Sequence, residues 1–126
     1  MASTFGYQRA VHDIAEIEEI LGNTAEAADY KALSEDIKDG FNSMWFNETN
    51  SPHYATNCQG CNAIALDMGA VADEHKPAVL ENIITSLESH DWHWTVGEIS
   101  LPSKDVLGGT VKHDTALVLA AKDAYS

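Results

Sequence analysis

Apolar residues in the first third of the chain recur at steps of three and four, the period of an amphipathic helix. Ser3 or Thr4 can cap the first helix and Gly22 can end it. A second helix follows an Asn23 start that resembles a capping box, and it runs to about Trp45. The short joint between them predicts antiparallel neighbours. The first apolar stripe contains Phe5, Tyr7, Val11, Ile14, Ile17, Ile20 and Leu21, and the second contains Tyr30, Leu33, Ile37, Phe41 and Met44.

The remainder of the chain continues the helical pattern, with polar loops between the helices. Four further helices are predicted, at about 57–68, 77–90, 102–107 and 112–125, with turns at Gly69 and Gly108-Gly109. Residues 47–56 and 90–100 read as loops, and no run of β-alternation stands out. The sequence therefore predicts one all-α domain over residues 1–126, built from three antiparallel hairpins at about 4–46, 56–90 and 101–125.

Composition narrows the classes of partner. The formal net charge is −13, from 20 acidic side chains against 7 Lys and Arg. Such a surface repels nucleic-acid phosphates and anionic membranes, so we expect neither as a partner. No segment is apolar and long enough for a membrane span, and no secretion signal is recognisable.

The two cysteines, Cys58 and Cys61, stand in C-x-x-C spacing on the first turn of the third predicted helix. A zinc site would draw its other ligands from His90 and His93, but the spacings fit a zinc finger poorly. A redox pair would want a thioredoxin-like βαβ pattern, which is not present. The favoured interpretation is two small residues packing on one helix face, with metal binding and redox chemistry left open.

Polar and aromatic residues near these cysteines suggest a sugar site. Gln59 and Asn62 share one helix face and could bind ligand hydroxyls or, alternatively, satisfy loop backbone groups. The next loop holds Trp92, His93 and Trp94, whose rings could stack on a sugar or fill the core. Glu98 could be a general acid or base if desolvated, or a solvated carboxylate.

Residues 54–71, 93–107 and 108–120 together resemble the catalytic domain of bacterial and fungal α-L-rhamnosidases, glycoside hydrolase family 78. The first hairpin resembles the pair that precedes these segments in the family, so the resemblance spans the chain. The matching positions are Tyr54, Gln59, Asn62, Ala63, Ala65, Leu66, Gly69, His93, Thr95, Gly97, Asp114 and Ala116.

The resemblance implies an (α/α)6 toroid of six hairpins that hydrolyses terminal rhamnosides with inversion and without a cofactor. Its sugar site would be lined by Tyr54, Gln59, Asn62, Trp92, His93, Trp94 and Thr95. The family's general-acid and general-base segments are both missing, so the resemblance gives Glu98 no established role, although it is the carboxylate nominated as catalytic. Full-length relatives imply an extracellular location.

Three hairpins amount to half of the toroid, and this expectation has two consequences. The chain alone is expected to be weakly active or inactive, the alternative function being that of a non-catalytic sugar-binding or oligomerising protein. The end helices are expected to expose apolar edges, and a homodimer or higher homo-oligomer would cover them.

Overall fold

The structure is a computed structural model that describes residues 1–96 of the 126-residue chain. Within this part the elements are α1 (Ala2–Ile20), α2 (Thr24–Trp45), α3 (Gln59–Asp67) and α4 (Lys76–Ser89). Two short strands, β1 (Phe46–Asn47) and β2 (His53–Tyr54), separate the helical pairs. The predicted fifth and sixth helices, and with them the third hairpin and Glu98, lie outside the described residues.

The α1–α2 turn is closed by its backbone. Gly22 adopts a left-handed φ of 82°, and Asn23 donates its backbone N–H to the Glu18 carbonyl at 2.9 Å. The Asn23 side chain does not cap α2; its Nδ2 instead donates to Glu18 Oε2 at 2.6 Å. The first helix also starts earlier than predicted, because Met1 rather than Ser3 or Thr4 occupies the cap position.

The face of α1 that contacts α2 is lined by small and polar side chains. Ala15 and Ala27 are buried, and Gln8 Nε2 donates to Ser34 Oγ at 3.0 Å between the helices. Small residues allow the two backbones to approach closely, so the hairpin buries few large side chains of α1. Five large apolar residues of α1 and its C-cap are exposed by 38–84 %: Tyr7, Ile14, Ile17, Ile20 and Leu21.

The predicted loop between α2 and α3 contains a short β-ladder that the sequence analysis did not predict. β1 and β2 pair antiparallel, with Phe46 opposite Tyr54 and Asn47 opposite His53. Two-residue strands are too short to show an alternating pattern. The ladder positions the Tyr54 ring 5.6 Å from the centroid of Phe41, inside the main core.

The second hairpin carries most of the core. Its α3 ends at Gly69, which has a left-handed φ of 66°, and a 3-10 turn (Asp73–His75) leads into α4. Pro77 lies in the first turn of α4, where its missing N–H costs nothing. One face of α4 is fully buried: Val79, Leu80, Ile83, Ile84 and Leu87. The helix α3 contributes to both core clusters: Ile64 belongs to the cluster of Phe5 and Phe41, and Ala63 to the cluster of the α4 face.

Within residues 1–96, no helix combines the length and the hydropathy that crossing a membrane requires.

Candidate functional site

Cys58 and Cys61 form a disulfide at the start of α3. The sequence favoured the packing of two small residues on one helix face and left open whether they pair. Cys58 is the N-cap residue, and its Sγ accepts a hydrogen bond from the Cys61 backbone N–H at 3.0 Å. The i, i+3 spacing that the sequence analysis assigned to packing also brings two sulfurs within bonding distance on the first helical turn.

The disulfide also bears on the metal hypothesis. While the two sulfurs are bonded to each other, neither offers a thiolate to a metal ion. His90 Nδ1 lies 2.7 Å from the Ser86 carbonyl oxygen, and His93 Nδ1 lies 3.0 Å from the His90 carbonyl oxygen. Across residues 1–96, no three side chains of His, Cys, Asp or Glu gather in a way that could hold an ion.

Asn62 holds the segment that enters α3. Its side chain is fully buried, its Oδ1 accepts the Tyr54 backbone N–H at 2.9 Å, and its Nδ2 donates to Asn57 Oδ1 at 2.8 Å. This segment contains two residues with left-handed backbones, Ala55 (φ 51°) and Asn57 (φ 59°). A non-glycine residue keeps such a conformation only where its surroundings enforce it. The Asn62 amide is one of the groups that enforce it here.

Gln59 holds the loop that follows α4, as Asn62 holds the segment that enters α3. Its Nε2 lies 3.1 Å from Ser86 Oγ and 3.4 Å from the His93 carbonyl oxygen, and its Oε1 accepts the Thr95 backbone N–H at 2.8 Å. The side chain is buried, so these bonds replace those it would make with water. One amide thereby fixes the path of residues 93–95 against α3 and α4.

The two amides therefore lie on one short helix and support two different loops. The alternative that they satisfy loop groups describes the contacts observed in residues 1–96. Their predicted role in binding sugar hydroxyls is not tested by these contacts and stays a prediction.

The tryptophans of the second loop pack against the core. Trp92 and Trp94 are both half-buried and contact the α4 cluster that includes Leu80 and Leu87. The loop reaches this position through left-handed backbones at Asp91 (φ 50°) and Trp92 (φ 61°). The Trp94 Nε1 atom is buried and has no hydrogen-bond partner among the described residues. His93 and Thr95, which alternate with the tryptophans, have exposed side chains.

Tyr54 is a third predicted site residue that is buried, with 1 % of its surface exposed. Its hydroxyl lies 2.8 Å from Asn42 Oδ1 and 3.3 Å from the Ala70 carbonyl oxygen. Asn42 Nδ2 also donates to that carbonyl at 2.8 Å, which closes a small polar network inside the core. Burial raises the pKa of Tyr54 to about 12, so its phenol is neutral at ordinary pH.

Two surface depressions lie near these residues. One of about 180 Å³ adjoins the disulfide and is lined by residues whose side chains carry no charge: Met1, Ala2, Cys58, Gly60, Cys61, Ile64, Thr95 and Val96. Another of about 370 Å³ lies where α1, α2 and the end of α3 meet, and its charged lining was not anticipated: Arg9, His12, Asp13, Glu16, Lys38 and Asp67. These side chains come from three different helices, and in the sequence each group looks like the solvated face of its own helix. Arg9 and Asp67, 3.6 Å apart, are the pair that joins α1 to α3 there.

Comparison with known proteins identifies one family. A protein-family model for the bacterial alpha-L-rhamnosidase 6 hairpin glycosidase domain matches residues 1–126, the whole chain. No curated protein and no solved structure matches. The resemblance drawn from the sequence motifs and the all-α prediction are thereby confirmed.

Proposed function

The chain belongs to the bacterial alpha-L-rhamnosidase six-hairpin glycosidase domain family, and from this premise we propose that it is a glycoside hydrolase module for terminal α-L-rhamnosides. The observation that carries the proposal is the family match over residues 1–126. In the complete family domain the reaction is hydrolysis with inversion, which needs an acid and a base on opposite faces of the sugar.

The geometry around α3 supports a sugar-contacting role for the loop that Gln59 holds. Its bonds to His93 and Thr95 fix the backbone, while the side chains of these two residues remain exposed. An imidazole and a hydroxyl can each donate to and accept from sugar hydroxyls. Trp92, half-buried beside them, adds an aromatic side chain. Preorganised polar groups next to an aromatic surface are the usual composition of a carbohydrate site.

Catalysis needs carboxylates that this loop alone does not supply. Inverting enzymes place two of them about 6.5–9.5 Å apart, with room for a water between. We nominate Glu98, which follows the held loop in sequence, as one of the pair. Because the sequence offers no segment like the family's acid or base motifs, the expected activity of the isolated chain is weak or nil.

Release of p-nitrophenol from a panel of aryl glycosides tests this proposal, with the α-L-rhamnoside foremost. The test variant is Glu98→Gln, and the matched control is Glu88→Gln, an exposed carboxylate on α4. Rhamnoside turnover that Glu98→Gln abolishes and Glu88→Gln preserves would support the proposal. Turnover unchanged in Glu98→Gln would remove Glu98 from the chemistry, and no turnover on any sugar would favour the second candidate.

The second candidate is a non-catalytic sugar-binding or oligomerising protein, and the apolar face of α1 favours it. Tyr7, Ile14, Ile17 and Leu21 follow the three-and-four spacing of a helix that packs against a partner helix. We propose a second copy of the chain as the partner. The first half of α1 carries Arg9 and no acidic side chain, while its second half carries Asp13, Glu16, Glu18 and Glu19. An antiparallel pair of α1 helices would place the basic half of each against the acidic half of the other.

A further inference from the structure

The Cys58–Cys61 disulfide has two sulfurs with unequal surroundings. Cys58 is exposed at the N-cap of α3, whereas Cys61 is half-buried one turn further along the helix. The Cys61 backbone N–H points at the Cys58 sulfur from 3.0 Å, and nothing comparable is directed at the Cys61 sulfur within residues 1–96. Both cysteines line the depression of about 180 Å³, whose lining carries no charged side chain.

This arrangement makes the bond easy to exchange. A cross-link between residues only three apart closes a very short loop, so it restricts the unfolded chain less than a long-range disulfide does. It joins one turn of a single helix rather than two separate elements. Exposed disulfides of this kind belong to the labile class, whereas buried structural disulfides resist reduction.

The same arrangement favours Cys58 as the reactive thiol after reduction. Helix N-termini lower the pKa of a cysteine because unsatisfied backbone N–H groups and the helix dipole stabilise the thiolate. The Cys61 N–H is already aligned with the Cys58 sulfur in the disulfide form. Cys61, on the other hand, is the third residue inside the helix and is less accessible.

We propose that Cys58 and Cys61 form a reversible dithiol–disulfide site that exchanges with small uncharged thiols, with Cys58 as the sulfur attacked. In the first step the thiolate of the small molecule forms a bond to Cys58 Sγ, the Cys58–Cys61 bond breaks, and Cys61 leaves as a thiolate. In the second step another thiolate attacks the small-molecule sulfur of the mixed disulfide and releases Cys58 as a thiolate. Two electrons pass from two thiols to the protein, and their two protons end on the protein thiols or in water. This inference does not depend on the proposed glycosidase activity.

The preference for uncharged thiols follows from charge. The protein carries a formal charge of −13, which repels anionic thiols, and none of the described side chains that line the depression is charged. Its volume admits a molecule of a few heavy atoms, such as 2-mercaptoethanol or dithiothreitol, next to Cys58.

The first test uses the unmodified chain under native conditions. The protein is equilibrated with graded millimolar dithiothreitol, quenched with an alkylating reagent and weighed by mass spectrometry. We expect two alkyl groups per chain without denaturant, and return to the disulfide when the dithiothreitol is replaced by its oxidised form. Cysteines that become alkylated only after urea unfolding would overturn the proposal, since the disulfide would then be structural and inaccessible.

The second test assigns the attacked sulfur. Cys61→Ser and Cys58→Ser each leave one thiol, and each variant is incubated with the disulfide of 2-mercaptoethanol while the mixed disulfide is followed by mass. We expect Cys61→Ser, which retains Cys58, to react about tenfold faster, because its thiol is more exposed and lies at the N-terminus of α3. Ser at position 58 can serve as the helix cap, so both variants should keep their helix content by circular dichroism. Equal rates, or a faster Cys58→Ser, would overturn the assignment of Cys58.

Discussion

Replacing Asn62 by Ala tests whether a buried amide holds the entry to α3. In the folded chain, Asn62 Oδ1 accepts the Tyr54 N–H and Nδ2 donates to Asn57 Oδ1, with the side chain fully buried. Alanine removes both bonds and leaves the Tyr54 N–H without its partner beneath a closed surface. The Asn57 side chain is exposed, so its Oδ1 can accept a hydrogen bond from water in place of the one from Asn62.

The expected cost follows from these contacts. An orphaned buried N–H costs about 1–3 kcal/mol, which is larger than the net value of an ordinary hydrogen bond. Loss of the bond to Asn57 adds about 0.5–1 kcal/mol, because water can replace the partner at that exposed group. We therefore expect Asn62→Ala to lower the free energy of unfolding by about 1.5–4 kcal/mol.

Urea unfolding followed by far-ultraviolet circular dichroism measures this cost, and Asn82→Ala is the matched control. Asn82 also bonds the same loop twice, through Nδ2 to the Pro52 carbonyl at 2.9 Å and Oδ1 to Ser51 Oγ at 3.3 Å. It is only half-buried, so water can replace those bonds and the expected loss is about 1 kcal/mol. If the two variants lose the same free energy within about 0.5 kcal/mol, the reasoning from burial is wrong.

Three further predictions follow from neighbouring residues. The pKa of Tyr54, raised by burial to about 12 against about 10 in the unfolded chain, makes the neutral phenol favour the folded state. This contribution to stability is complete below pH about 10, and about 2–3 kcal/mol of it is lost as the pH rises through about 12. Over this pH range the free energy of unfolding should fall less steeply in Tyr54→Phe than in the unchanged chain. Equal slopes would contradict the raised pKa of Tyr54. Gln59→Ala should speed hydrogen exchange at the Thr95 amide about tenfold or more. The control Ser86→Ala, which removes one of the three hydrogen bonds of Gln59, should change that exchange rate little. Equal protection of the Thr95 amide in both variants would refute the role of Gln59. Ile17→Ser should convert the proposed dimer to a monomer in sedimentation equilibrium while Met44→Ser, an exposed position on α2, leaves it intact; a wild-type chain that is monomeric at micromolar concentration would contradict the dimer itself.

The helices were predictable because their signals are local. The α1 and α2 bounds follow from apolar spacing and from Gly22, whose left-handed φ of 82° suits a residue without a Cβ. The bounds of α3 and α4 were within about two residues for the same reason. The β-ladder was missed because its two residue pairs leave no alternation to detect, and its register depends on Tyr54 reaching a core formed by distant helices.

The sequence pattern that predicts a helix does not predict which side of that helix other elements cover. The apolar stripe of α1 was correctly predicted as helical, yet Phe5 and Val11 face the core while Ile17 and Leu21 are exposed. The spacing of apolar residues shows that they share one side of the helix. It does not show which of them contact another element. The inward face was instead marked by Ala15 and Gln8, a small residue and a polar one whose partners are far away in sequence.

The candidate site shows the same limit at the level of single side chains. Gln59 and Asn62 were selected because they are polar residues in an apolar helix, and this selection identified two buried amides that each support a loop. A sequence motif shows that an amide side chain occurs at a position. It does not show whether that amide contacts the ligand or only holds the backbone beside the ligand. Exposure separates them: His93 and Thr95 present side chains to solvent on a loop whose backbone Gln59 fixes. Direct contact with a sugar is therefore to be sought first at His93 and Thr95, and the fixed backbone that such a contact needs at Gln59.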